Sequence, residues 1–345
     1  MNEPGLIEFA EHGSDGQRGN LLGVQPYMRT SDYASEEAFF AKLDGYMQAA
    51  RGRGWLGPRT IVVWPEYIGT WLASTGEGPA VAQAATLNGA MRRLAAGHAL
   101  RFAGALLRSR EQDRVSAALF RVQAEAMARS YQAVFSRLAR QYAVTMAAGS
   151  IMLPAPEVRA GAVAAGSGPI YSVSAVFRPD GTAHPELARK TAPTTAEASF
   201  VTAATAAELP VFDTPAGRLG VLICADAWYP EPYARLKAGG AELVAVPSFV
   251  TADAFWDKPW GGYDGAPTPA GVDAADVGVL SAGQAWRKYA LAGRLALSGA
   301  RHGINVFLRG ALWDLGPDSG TALAVSGDQV AEAGRAGAAI MSVWV

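Results

Sequence analysis

The sequence predicts an α/β fold, and three observations carry that prediction. Short apolar runs of strand length, such as Thr60-Ile61-Val62-Val63-Trp64 and Glu242-Leu243-Val244-Ala245-Val246, each stop at a proline, Pro65 and Pro247. Longer segments between such runs carry a helical period, and residues 35–51 set Phe39, Leu43, Tyr46, Met47 and Ala50 along one face. Half of the 345 residues are apolar, so core size sets no limit on a large α/β domain. No credible linker interrupts residues 1–345, and one domain is expected.

Residues 1–19 are polar and glycine-containing, and a flexible lead-in is expected there. A strand over 21–28 and the helix over 35–51 make a β then α opening. Gly52-Arg53-Gly54-Trp55-Leu56-Gly57 spells G-x-G-x-x-G, but it precedes a strand and runs into Pro58. A dinucleotide loop must follow a strand and open a helix, so no such cofactor is implied. The strand 60–64 ends in Pro65-Glu66, and ligands of open α/β sheets bind at that end of the strands. Read alone, Glu66 is either a site residue or an ordinary solvated loop carboxylate.

Residues 80–142 contain no proline and are rich in Ala, Leu, Arg and Gln, which predicts two or three helices. The second of these stretches, 114–142, has the cleaner apolar face: Leu119, Val122, Ala126, Ala133, Val134 and Leu138. Arg92, Arg93, Arg108 and Arg110 read as a solvated face. Strands follow at 144–150 and 170–178, then a Pro179-Asp180-Gly181 turn. A hairpin over 211–218 feeds the strand 219–223, which leaves Cys224 at a strand-to-loop junction. A short helix over 231–237 and the strand 242–246 lead to the exit Pro247-Ser248-Phe249. Residues 255–271 are dense in Gly, Pro and aromatics, Trp256, Trp260 and Tyr263 among them, and read as a pocket-lining loop. A helix over 284–297, strands at 304–308 and 321–325, the turn Gly327-Asp328 and a strand over 339–345 complete the chain.

Composition excludes several classes. The formal net charge is −1 and no Lys/Arg tract stands out, so nucleic acid is not an expected partner. The apolar-leaning run 94–107 is broken by His98 and Arg101 and is shorter than the ~20 residues that span a bilayer, so no membrane partner is expected. One cysteine permits no intrachain disulfide, and the first residues carry Glu3, Glu8, Glu11 and Asp15 in place of a basic then apolar signal, so a cytoplasmic protein is expected. The four histidines, His12, His98, His184 and His302, show no ligand spacing, and no metal is expected. Ser150 and Ser167 lack the G-x-S-x-G elbow of serine hydrolases.

Cys224 remains. A lone cysteine in an apolar strand usually packs as a small hydrophobe. As a nucleophile it needs a nearby base and a cationic or dipolar setting for its thiolate, and fixed donors where charge develops on the substrate. Three separated motifs supply candidates: Val62-Val63-Trp64-Pro65-Glu66, Arg189-Lys190-Thr191-Ala192-Pro193, and Leu222-Ile223-Cys224-Ala225-Asp226 through Pro230-Glu231. Phe212-Asp213-Thr214-Pro215 and Gly217-Arg218-Leu219-Gly220 make the approach to the last. In this order the motifs resemble those of the nitrilase superfamily of carbon-nitrogen hydrolases, over nearly the whole chain.

That resemblance implies a four-layer α-β-β-α sandwich that pairs into homodimers or larger homo-oligomers through helices. It implies Cys224 as nucleophile, Glu66 as base, and Lys190 with the backbone N–H of Ala225 as oxyanion donors. Glu197 matches the second glutamate that positions substrate, water and the lysine. Thr194 three residues before Glu197 is equally a capping-box pattern, and both readings stand. Trp228, Ser248, Phe249 and the loop from Trp256 to Tyr263 are candidate pocket walls. The implied partners are a small linear amide or carbamoyl compound and water, with no cofactor.

Two departures bear on this. Glu66 and Lys190 lie 124 positions apart, longer than the pattern, with a helical insertion at about 72–120 that reads as a packing layer or oligomer surface in preference to a lid. Ala225-Asp226 replaces the Trp-Glu that follows the cysteine in nitrilases, which favours amides over nitriles. The expected activity is thiol-dependent hydrolysis of a non-peptide carbon-nitrogen bond. The alternatives are a nitrilase, an amide-forming acyltransferase, or a catalytically silent binding member.

Overall fold

The computed structural model describes residues 7–251, 255–265, 267–316 and 320–345. Twelve strands build two large sheets. In chain order they are β1 (Ile7–His12), β2 (Asn20–Gln25), β3 (Thr60–Val63), β4 (Thr145–Ala147), β5 (Val176–Phe177), β6 (Val211–Thr214), β7 (Gly217–Val221), β8 (Leu243–Ser248), β9 (His302–Phe307), β10 (Ala322–Ser326), β11 (Gln329–Ala333) and β12 (Ala338–Trp344). The first sheet runs β1-β12-β2-β3-β4-β5 and the second β6-β7-β8-β9-β10-β11. Each has parallel strands at its centre: β2, β3 and β4 in one, β7, β8 and β9 in the other.

The continuous apolar runs of the sequence follow from burial on both faces, as parallel sheets require. In β3, Ile61 and Val63 point into the core between the two sheets while Val62 points to the helices outside. In β8, Leu243 and Ala245 face the inter-sheet core, and Val244 and Val246 face outward. Gly23 of β2 lies against the second sheet, and a Cβ there would sit 2.4 Å from Ile304 and 2.6 Å from Val306.

Helices α1 (Glu36–Gly52), α2 (Leu87–Gly97), α3 (Ala99–Arg108), α4 (Arg114–Tyr142), α5 (Pro230–Ala238) and α6 (Ala282–Tyr289) supply the rest. Phe39, Leu43 and Met47 of α1 and Met127, Tyr131 and Phe135 of α4 cover the first sheet. Tyr233 and Leu236 of α5 and Ala285, Trp286 and Tyr289 of α6 cover the second. The layers are therefore helix, sheet, sheet, helix. Local signals set the helix starts: Ser35 accepts from the N–H of Ala38 at 3.1 Å, and Asp113 from those of Val115 and Ser116 at 3.1 and 3.0 Å.

Two expectations change. The lead-in 1–19 is not flexible throughout: residues 7–12 form β1, an edge strand paired in parallel with β12. Residues 1–6 lie outside the described part. The segment 72–120 holds a short helix Pro79–Ala82, α2 and α3, which lie over α4, and Arg101 reaches across to donate to the carbonyl of Val122 at 2.7 Å. Leu100 and Leu107 of α3 are 92% and 81% exposed, while one face of α2 turns toward the cavity described next. No helix among the described residues is long and apolar enough to cross a membrane.

Candidate active site

Glu66 leaves the carboxyl end of β3 through Pro65, and the backbone folds back at once, with Tyr67 at φ +62°. That fold is braced from β4: the Ser150 hydroxyl accepts from the Tyr67 N–H at 2.9 Å, and Gly149 sits at φ +64°. A Cβ on Gly149 would lie 2.1 Å from the Pro65 carbonyl oxygen, so only glycine lets the two strand ends approach this closely. Lys190 follows the two-residue strand Ala188–Arg189, which is antiparallel to Ile170–Ser174, and its own N–H donates to the Ser172 carbonyl at 2.9 Å. Cys224 follows β7 and opens a short 3-10 turn with φ +52°. A non-glycine residue in that left-handed region is held by its surroundings at a cost, which concentrates at functional sites.

The brace at Cys224 is Asp226. Its Oδ1 accepts from the N–H and the hydroxyl of Thr191, at 2.8 and 2.9 Å, and from the N–H of Ala192 at 2.8 Å. Its Oδ2 accepts from the N–H of Ile223 at 3.0 Å. One buried carboxylate thus joins the turn bearing the cysteine to the loop bearing the lysine.

The four chemical groups converge. Lys190 Nζ donates to Glu66 Oε1 at 2.7 Å and to Glu197 Oε2 at 2.6 Å. Glu197 Oε1 accepts from the Tyr67 hydroxyl at 2.5 Å, and its Oε2 also accepts from the N–H and hydroxyl of Thr194 at 2.8 and 3.0 Å. Glu197 thus caps a helix turn and also accepts from the lysine. The Cys224 thiol borders the same cavity as Glu66 and Lys190 and donates to the Phe249 carbonyl oxygen at 3.6 Å.

Burial and charge set the protonation states. Burial, opposed by Lys190 and reinforced by Glu197, pushes Glu66 up to about 7. Burial works the same way on Glu197, but the charge and hydrogen bonds of Lys190, with those of Tyr67 and Thr194, outweigh it and hold this carboxyl below its ordinary value. Burial alone would lower Lys190; the facing carboxylates of Glu197 and Glu66 raise it well above an ordinary lysine. Burial and then the Glu66 charge push the Cys224 thiol well up, so it rests protonated.

These groups lie at one cavity of about 780 Å³, which Ala225, Trp228 and Phe249 also line. Ser248 and Trp256 are the exceptions among the expected wall residues. Ser248 is fully buried in β8 with its hydroxyl accepting from Asn305 Nδ2 at 2.7 Å, so it braces neighbouring strands, and Trp256 packs against Trp286 and Phe307; neither lines the cavity. Tyr67 and Asp226 are polar partners that sequence reasoning did not pick out, although Asp226 stands inside the third motif quoted and Tyr67 directly follows the first. The walls from α2, and Trp71, Phe120 and Trp313, carry no local signal. No group of three or more His, Cys, Asp or Glu among the described residues could hold a metal ion.

Comparisons with known proteins agree with the architecture. The amidase of Nesterenkonia sp. AN1 superposes in several solved forms at 15% identity. A cysteine-to-serine mutant gives a TM-score of 0.56, covering 95% of this chain and 92% of that one. A form with acrylamide added at the active-site cysteine gives 0.54, covering 95% and 93%. At that identity the likeness carries the fold. A deaminated glutathione amidase of Yersinia enterocolitica is 44% identical over 52 residues, a match that spans 14% of this chain and 18% of that relative. A family model described as carbon-nitrogen hydrolase matches residues 23–262, most of the length over which both sheets and all four converging groups are laid out, and the chain belongs to the carbon-nitrogen hydrolase family.

Proposed function

We propose that the protein is an amidase that hydrolyses carboxylic amides through a Cys224 thioester. The observation that carries this reading is the array Glu66, Lys190, Glu197, with Cys224 lining the same cavity. The names of the related amidases point the same way.

The chemistry follows from the protonation states. A protonated thiol is a poor nucleophile, and Glu66, at about 7, takes its proton near neutrality as sulfur adds to the amide carbon. Negative charge then develops on the amide oxygen. Lys190 and the backbone N–H of Ala225 receive it, and one such fixed donor is worth ~3 kcal/mol in the transition state. The carbon-nitrogen bond breaks, and ammonia or an amine leaves with the proton that Glu66 holds. Glu66 next takes a proton from water, whose oxygen attacks the thioester carbon. The carbon-sulfur bond breaks, the acid departs and the proton returns to sulfur, so each turnover consumes one amide and one water.

Glu197 has a different task. It keeps its charge, fixes Lys190 from the side opposite Glu66, and is itself held by Tyr67 and Thr194. Two like carboxylates facing one lysine thus divide into a proton carrier and a fixed anchor.

The test is mass spectrometry of the intact protein after incubation with a panel of amides and nitriles, alongside an ammonia assay. An acyl mass on Cys224 and ammonia from amides are expected. Glu66→Gln should lower kcat by about 10²- to 10⁴-fold with the circular dichroism spectrum unchanged. Turnover of nitriles alone would reassign the enzyme as a nitrilase, and retained activity in Glu66→Gln would remove Glu66 as the proton carrier. Neither adduct nor ammonia from any compound would leave the binding reading in place of the catalytic one.

A further inference from the structure

We infer that the substrate this site takes is an uncharged amide with a large apolar acyl group, in place of a short or acidic one. The inference rests on the amidase reading above and concerns the space around the reacting bond.

Size is the first argument. The four heavy atoms of acetamide would fill roughly 120 Å³ if each took a water's share of volume. The cavity holds about 780 Å³. A site built for acetamide alone would leave most of that space unused, and an apolar wall gains nothing from facing water.

The lining is the second. A run of aromatic rings leads away from the reacting groups: Tyr67 lies 5.9 Å from Trp71 and 5.4 Å from Phe249, and Trp71 lies 5.6 Å from Trp313. Met91 and Leu94 of α2 continue the wall, so the insertion contributes directly to the substrate space. These side chains offer dispersion contacts and an escape from water to methylenes or a ring, and few partners to polar atoms.

Charge is the third. Among the described residues lining the cavity, Lys190 is the single cation, against the carboxyl groups of Glu66, Glu197 and Asp264. Two of those three carboxylates already hold its ammonium. Positions 252–254, 266 and 317–319 contain no Lys, Arg or His. A substrate carboxylate would meet apolar walls and negative charge with no cation left to pair it, and burying an unpaired charge is strongly unfavourable. The product acid has the same difficulty, which favours its release.

The experiment measures ammonia release from acetamide, butyramide, hexanamide and octanamide, with adipamate as hexanamide bearing a terminal carboxylate and 6-aminohexanamide as its cationic counterpart. We expect kcat/KM to rise by up to about fourfold per methylene. Adipamate should fall at least about a hundredfold below hexanamide. Met91→Trp, which fills the wall at α2, should lower the octanamide-to-acetamide ratio about tenfold. Acetamide matching octanamide, adipamate matching hexanamide, or 6-aminohexanamide exceeding it would overturn the inference, and an unchanged ratio in Met91→Trp would remove α2 from the acyl site. Should no amide release ammonia, the amidase reading fails on its own. Calorimetric binding of octanamide and adipamate to Cys224→Ala then decides the pocket separately: preference for octanamide upholds it, and equal or no binding overturns it.

Discussion

Glu66 carries opposite consequences for catalysis and for stability. Its carboxyl is ordinarily near 4.5 and is pushed up to about 7 in the fold. The folded state therefore holds a proton that the unfolded chain has released, and the stability this gives is complete below about pH 4.5 and is lost as pH rises through 7. The base, by contrast, works only when ionised. Across pH 5–8, kcat/KM should rise with an apparent pKa of about 7 while the contribution of this group to the urea midpoint declines. Parallel pH profiles of rate and unfolding check this, and in Glu66→Gln the Glu66 component of the stability profile should vanish. The motifs pointed to Glu66, Lys190 and Cys224 through their order along the chain, and the local Thr194 cap of Glu197 was legible as a capping box. They could not show that Tyr67 holds Glu197, since that bond joins residues 130 positions apart and exists only after distant loops meet.

At the scale of elements, the ends of β3 and β4 are the part of the scaffold that aims the base. Gly149, at φ +64° and within 2.1 Å of the Pro65 oxygen when a Cβ is added, is the pivot. Gly149→Ala should cost more than about 1 kcal/mol from the backbone conformation alone. It should also displace Glu66, so that residual activity in the folded fraction falls; unaltered kcat with an unaltered melting temperature would show that the contact is slack. Central strands such as β3 and β8 were legible because burial on both faces leaves an unbroken apolar run. The strand β1 was not. Glu8 and Glu11 interrupt its apolar residues, and its partner β12 comes from the far end of the sequence, so no local period records the pairing. The helical character of residues 87–142 was equally plain, but that α2 would wall the cavity depends on how it lies across α4, which periodicity does not encode.

On the scale of the whole molecule, the site exists because two sheets bring their strand ends together. Glu66 comes from one, Cys224 from the other, and between them Gly23 packs against Ile304 and Val306 with no room for a Cβ. Gly23→Val should wedge the sheets apart, costing about 1–3 kcal/mol by overpacking. Activity should fall in step, because the distance from Glu66 to Cys224 is set by that gap; chemical denaturation and kcat of the same preparation test it. The layered architecture was legible through the ordered motifs, whereas the volume of the cavity was not, since its walls are drawn from segments scattered along the chain. One feature of composition gains meaning from this placement. The only sulfhydryl in the sequence is 5% exposed and borders the substrate space. Each chain therefore takes at most one thiol label, and under the proposed mechanism the loss of activity on alkylation should track that single label.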